Sequence, residues 1–357
     1  MYNNRLTQLR ERLCQNRLDG ILITNLANVQ YLTGFTGSSG TLVITLKEGF
    51  FIVDGRYLEQ TELEVSEGFD VIKQSGTIGS TISKILKDKG TKRIGFETDL
   101  SFEQYKAISK ALRFLKLHPT RKLISSLRMI KDKEEIRMIK KACVICEKAW
   151  RKITDFLKPG IKERDVAIEL EYLIRKLGSG TGPFDIIVAS GKRSSLPHGN
   201  ATGKDLEPGD LVVIDWGVKS NGYTADLTRT IAVGKISSDK KGVYSIVREA
   251  QEKALEGLKE GVEAKSVDKR VRDYIKTKGY EKFFVHNTGH GIGREVHEQP
   301  IISKRSKTVL KEGMVFTIEP GIYIPRKFGV RIEDVVLLRK DGHEILSDGI
   351  PRELIVI

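Results

Sequence analysis

The segment LVVIDWGVKSNGYTADLTRTIAV, residues 211–233, constrains the fold of this chain more than any other. Two β-prone runs flank Ser220-Asn221-Gly222, which has the turn chemistry of a tight hairpin. A two-residue turn at Ser220-Asn221 sets Asp215 directly opposite Asp226, and one at Asn221-Gly222 sets them diagonally. Either register leaves both carboxylates on one face, because strand side chains alternate with period two. Facing carboxylates repel, and aspartate is depleted from strands. Asp215 also follows Val212, Val213 and Ile214, the company of a buried strand. A buried pair of this kind must share a proton or hold a cation. Taken alone, the segment equally fits one surface aspartate and one beside a turn.

The end of the chain shifts that balance. GVRIEDVVLLRK reads as one β run with charges inside it, Arg331 and Glu333 on one face and Ile332 and Asp334 on the other. MVFTIEPGIY places Glu319 at the end of a further apolar run. HNTGHGIG, residues 286–293, holds two histidines at the spacing of a helical metal site. Gly289, Gly291 and Gly293 argue against a helix there, so His290 is expected to act without His286 beside it. Asp215, Asp226, His290, Glu319 and Glu333 are therefore the candidate ligands. Four carboxylates balance two divalent cations, which suits a two-metal site with ions roughly 3.5–4 Å apart. Oxygen-rich ligation with one imidazole suits Mn²⁺, Co²⁺, Fe²⁺ or Zn²⁺.

Around this core of motifs the 357-residue chain divides in two. Up to residue 125, short runs such as GILIT, TLVITL, FFIVD, DVIKQ and RIGFE alternate with helical stretches, predicting an α/β domain. From residue 126 to 357 helices and strands come in blocks, predicting α+β. A long helix is expected to start at Asp132, an N-cap with Glu135 three residues on, and to stop before Pro159-Gly160. Cys143 and Cys146 form a C-x-x-C inside this helical pattern and read as buried thiols. No apolar run reaches the length of a membrane span, and the N-terminus lacks a signal-peptide core, so the expected compartment is the cytoplasm. The net charge of +14 raises nucleic-acid binding. The basic residues are interleaved with acids, however, and no nucleic-acid or membrane partner is expected.

The ordered set Asp215, Asp226, His290, Glu319 and Glu333, with the motifs DWGVKSNGYTADLTRT, HNTGHGIG, TIEPGIY and VRIEDVV, resembles the dinuclear metallopeptidases of the pita-bread fold. These include methionine aminopeptidase, aminopeptidase P and prolidase. NVQYLTGFTGSSGTLVI and FFIVDGRYLEQ resemble the creatinase-type N-terminal domain of aminopeptidase P and prolidase, which typical methionine aminopeptidases lack. Creatinase shares the architecture without the ligands. Asn287 stands where many relatives have glycine. The resemblance implies a creatinase-like domain over 1–125, a pita-bread catalytic domain over 126–357, two divalent ions with Mn²⁺ foremost, and a homodimer.

It further implies that His198, in SSLPHGN, and His297 line the site and stabilise the tetrahedral intermediate. Glu319 would be the general base, while His286, Tyr323 and Arg331 would orient ligands or substrate. The implied substrates are peptides with proline at the second position. The reading favours an Xaa-Pro aminopeptidase over an Xaa-Pro dipeptidase. A dipeptidase needs a cation for the substrate's carboxylate, for which Arg193, Arg294 and Arg326 are candidates. Methionine aminopeptidase and a non-catalytic binder of protein or nucleic acid are more distant alternatives.

Overall fold

In the computed structural model, residues 2–87, 89–180 and 182–357 are described, and they form two compact units, residues 1–128 and 129–357. The first unit contains α1 (Tyr2–Gln15), β1 (Gly20–Ile23), α2 (Leu26–Thr33), β2 (Thr41–Thr45), β3 (Gly49–Val53) and α3 (Leu58–Glu64). It continues with β4 (Asp70–Lys73), α4 (Ile78–Leu86), β5 (Arg93–Glu97), α5 (Phe102–Ala111), β6 (Lys116–Thr120) and α6 (Ser125–Arg128). The six strands form one sheet in the order β4-β3-β2-β1-β5-β6. Alternation along the strands sends side chains to two separate cores. Ile21, Ile23, Leu42, Ile44 and Phe51 meet α1, α2 and α6 on one face. Leu22, Val43, Phe50 and Ile52 meet α4 and α5 on the other. The unit ends three residues beyond the position read from the sequence, because Leu127 of α6 joins the α1 core.

The second unit opens with α7 (Lys133–Phe156) and α8 (Glu163–Lys176), followed by β7 (Ile187–Ser190), β8 (Leu211–Ser220) and β9 (Tyr223–Ala232). Then come α9 (Ser238–Leu255), α10 (Ala264–Thr277), β10 (Gly289–Gly291), β11 (Glu298–Ile302), β12 (Val315–Ile318) and β13 (Gly321–Ile324). The chain closes with β14 (Phe328–Arg331), β15 (Asp334–Arg339) and β16 (Gly342–Ile345). Asp132 caps α7 through a reciprocal capping box with Glu135, as its sequence predicts. Strands assemble as β7-β8-β9, β11-β10-β12-β15-β16 and β13-β14. Val212, Ile214, Trp216 and Val218 of β8 pack with α7 and α8, where the Trp216 and Trp150 rings stack 4.9 Å apart. The alternate residues, Val213, Asp215 and Gly217, therefore face the other side of the hairpin. Among the described residues no helix is long and apolar enough to cross a membrane.

One expected strand divides. GVRIEDVVLLRK belongs to two strands in different sheets, because β14 pairs with β13 and β15 pairs with β12. Ile332 lies outside any strand, and Glu333 makes a lone bridge to Thr228. The alternation of Val330 to Glu333 ends at the adjacent pair Glu333-Asp334 and gives way to the apolar run Val335–Leu338, but that side-chain pattern alone does not reveal the change of ladder partner.

Candidate metal centre

The β8–β9 hairpin turns at Asn221-Gly222, with φ of +51° and +76°. Two consecutive positive φ values are those of a type I′ turn, whose twist matches the flanking strands. The register pairs Gly217 with Asp226 and Asp215 with Thr228. The two aspartates are thus diagonal neighbours on one face, the second of the two registers open to the sequence.

Other elements bring their side chains to the same face. His290 sits in β10, in extended rather than helical backbone. Gly289 beside it admits no side chain, since a Cβ there would lie 1.8 Å from the Thr317 carbonyl oxygen. This close approach seats β10 against the strand that leads to Glu319. His290 Nε2 lies 3.6 Å from Asp226 Oδ2 and 3.5 Å from Glu319 Oε1. Asp226, His290 and Glu333 each offer one atom to a cluster whose members all fall within 4.8 Å of one another. Asp215, Asp226, His290, Glu319 and Glu333 line a single cavity of about 510 Å³ together with His198, His286, His297 and Arg331. Phe184, Ile187, Pro197 and Ile301 supply an apolar wall.

Arg331 ties the parts together. Its Nη2 donates to Asp215 Oδ2 at 2.5 Å, its Nε to Thr228 Oγ1, and its Nη1 to both Tyr323 Oη and the Pro197 carbonyl. Thr228 passes the connection on, donating to Glu333 Oε2 at 2.7 Å. Tyr323 Oη also meets His286 Nε2 at 3.0 Å, and His286 Nδ1 stands 3.8 Å from Glu319 Oε2. His286 is therefore a neighbour of Glu319 and Tyr323, outside the three-residue cluster. The His297 ring lies edge-on to His290 with centroids 4.4 Å apart. His198 is carried on the segment after β7. That segment is held by buried Glu163, which accepts from the Ser190 and Thr202 backbone and hydroxyl groups and from Arg193.

The electrostatics are those of an anionic cage. Burial, together with the neighbouring carboxylates, pushes the carboxyls of Asp226 and Glu333 well above their usual range. Burial also raises Glu319. The same loss of water lowers His290, His286 and His297, favouring neutral imidazoles. Burial opposes the charge on Arg331, but contact with Tyr323, Asp215 and Glu333 keeps it firmly protonated. One guanidinium does not satisfy four carboxylates. Asp215 Oδ1 and Asp226 Oδ1 are buried and meet no hydrogen-bond donor among the described residues. Orphaned anionic oxygens are costly unless something fills their coordination. Hard oxygens beside a neutral imidazole fit divalent cations of the Mn²⁺ to Zn²⁺ series.

Thr228 and Thr317 were not legible as part of this arrangement. Thr317 Oγ1 accepts from the His290 backbone N–H and donates to Glu319 Oε1. Each threonine stands two residues from a carboxylate on the same strand face, and that spacing is the only signal the sequence offers. Of the proposed carboxylate-binding arginines, none lines the cavity. Arg193 is engaged by Glu163 and the Asn200 carbonyl, Arg294 is buried over the Tyr223 ring, and Arg326 is at the β13–β14 turn.

Comparison with known proteins gives two family matches. The model of metallopeptidase family M24 matches residues 137–340, and that of the creatinase/prolidase N-terminal domain matches residues 5–130. An Xaa-Pro dipeptidase from Pyrococcus furiosus is 42% identical over 96% of this chain and 97% of its own. The structure of an Xaa-Pro dipeptidase from Bacillus anthracis is 42% identical, covers both chains completely and superposes with a TM-score of 0.97. That of an X-Pro aminopeptidase from Thermotoga maritima is 41% identical, covers 96% of this chain and 98% of its own, and gives 0.89.

Proposed function

The chain belongs to metallopeptidase family M24, and from that premise we propose that it is an Xaa-Pro dipeptidase. The sequence motifs favoured aminopeptidase action, but the full-length relatives named as dipeptidases support the alternative better. The observation that carries the hydrolytic reading is the convergence of four carboxylates and His290 with two orphaned oxygens in one cavity.

Asp215, Asp226, His290, Glu319 and Glu333 would hold two divalent ions, for which we propose Mn²⁺ in a cytoplasmic homodimer. Such ions supply Lewis-acid polarisation of the scissile carbonyl and lower the pKa of a water nucleophile. The remaining roles fall to the chain itself. Glu319, whose carboxyl burial raises, is suited to take a proton from the water nucleophile and return it to the leaving proline nitrogen. His198 and His297, at the cavity mouth, can donate to the oxygen that gains charge as the carbonyl becomes tetrahedral. Arg331 holds Asp215, Thr228 and Tyr323 in register, so these groups are oriented before substrate arrives. The wall of Phe184, Ile187, Pro197 and Ile301 offers an apolar surface to the proline ring and the preceding side chain.

A second reading, Xaa-Pro aminopeptidase, is favoured by the Thermotoga maritima structure. The two separate on substrate length. Mn²⁺-loaded protein is expected to hydrolyse Xaa-Pro dipeptides and to leave Xaa-Pro-Yaa tripeptides largely intact. Equal or faster cleavage of the tripeptides would overturn the dipeptidase assignment, and cleavage of neither would overturn both.

A further inference from the structure

We propose that Arg229 and Asp334, a buried ion pair behind the cavity, form a positioning unit that fixes Glu333, and through Gln251 the approach to Glu319, for metal binding. The proposal rests on the reading of Glu333 as a ligand. Arg229 lies in β9, three residues after Asp226, and so points to the opposite face of the hairpin. It is only 1% exposed. A guanidinium carries five N–H donors, and all five are engaged here. Nε donates to the Pro351 carbonyl at 2.9 Å. Nη1 donates to the carbonyls of Thr228 and Glu333, at 3.0 and 2.6 Å. Nη2 donates to Asp334 Oδ1 at 2.8 Å and to the Ile350 carbonyl at 2.9 Å.

The contact with Glu333 answers a problem set by the fold. Glu333 stands where the chain leaves one sheet for another, between β14 and β15. Its N–H donates to the Thr228 carbonyl, while its own carbonyl accepts from Arg229 Nη1. An unpaired buried carbonyl at this break would otherwise let the peptide rotate, and the carboxylate with it. Asp334, the next residue, is anchored as firmly. Its Oδ1 accepts from Arg229 and from Ser347 Oγ, and its Oδ2 from Gln251 Nε2 and Arg352 Nε, each within 3.0 Å. Gln251, from α9, also donates to the carbonyl of Ile318, the residue before Glu319. The unit therefore grips the backbone at or beside two candidate ligands without entering the cavity.

A buried ion pair is weak evidence for stability, since desolvation offsets its attraction. Its backbone contacts at ligand positions give it a separate role, which is testable apart from turnover. Arg229→Lys keeps a cation for Asp334 but cannot reach Asp334 and the carbonyls of Glu333, Ile350 and Pro351 together, and Asp334→Asn keeps the shape without the charge. Titration of metal-free full-length protein with MnCl₂ by calorimetry is expected to show affinity lowered about 10–100-fold in both variants, as for partners of metal ligands in general. Circular dichroism should remain that of the wild type. Arg352→Ala, which removes the outer contacts to Asp334 Oδ2 and Asp348 and leaves Arg229 and Gln251 in place, should stay within about threefold. If the two buried-pair variants prove insoluble, Gln251→Leu tests the same unit and should also weaken Mn²⁺ binding. Variants that melt earlier yet bind Mn²⁺ as tightly as the wild type would reduce the pair to a structural role and overturn the proposal. Wild-type protein that binds no Mn²⁺ would instead overturn the metal centre itself.

Discussion

The two faces of the β8–β9 hairpin are built to opposite standards. On one, Asp215 and Asp226 each keep a buried oxygen without a donor among the described residues. On the other, Arg229 satisfies every N–H it has. Both faces are buried, both are charged, and they are separated by one strand thickness. Unfilled hydrogen-bonding capacity separates the reactive face from the supporting one. A scaffold closes its own hydrogen bonds because leaving them open costs stability. A site leaves them open because a ligand will close them. The Arg229 network, with every guanidinium N–H engaged, then serves to hold the open carboxylates in shape.

That contrast can be broken most severely on the open face. Asp226→Ala and Glu333→Ala should each lose bound metal and at least about 10³-fold in kcat/KM, read by elemental analysis and dipeptide hydrolysis. A variant retaining full metal and activity would remove that residue from the centre. Glu319→Gln keeps the shape and removes the proton acceptor, so kcat should fall about 10²–10⁴-fold. A pure rise in KM would instead mark Glu319 as a binding group. Arg331→Lys cannot reach Asp215, Thr228, Tyr323 and Pro197 together, and an activity loss of about 10–100-fold is expected.

The smallest effect has the opposite sign. Glu333 is a carboxyl whose pKa the fold raises, through burial first and then Asp226 and Glu319. Such a group contributes stability that is complete below its unfolded pKa of about 4.3 and is lost as pH rises through the folded value. Metal-free Glu333→Gln should therefore be more stable than metal-free wild type at neutral pH, by roughly 1–3 kcal/mol. The gap in Tm should shrink toward pH 4, and added Mn²⁺ should reverse the order at neutral pH. Equal melting at every pH would mean that the cluster carries no electrostatic strain.

Much of this is legible in the sequence. A tight turn within Ser220-Asn221-Gly222, the shared face of Asp215 and Asp226, and the capping box at Asp132 are local patterns, and they read true because few residues decide them, although the choice between the two turn registers came only with the structure. The non-helical backbone around His290 followed from its glycines in the same way. What escaped depends on distant partners. In GVRIEDVVLLRK the polar pair Glu333-Asp334 interrupts the alternation, but the change of sheets at Ile332 depends on which strands the two halves pair with, which this stretch does not carry. Thr228 and Thr317 look like ordinary strand threonines until Arg331 and His290 arrive from elsewhere. β6, Lys116–Thr120, was hidden by Pro119, which is tolerated there because the strand lies at a sheet edge. Phe184 and Ile301 could not be told from core residues, because an apolar side chain lining a cavity has no pattern of its own.

We propose the open face of the hairpin as a two-metal centre. Its most direct test is the number of Mn²⁺ ions bound per chain, measured by calorimetric titration of metal-free wild type and of Asp226→Asn. The expected result is two ions for the wild type, with one or both lost in the variant. Equal stoichiometry in the two proteins, or no binding to the wild type, would contradict it.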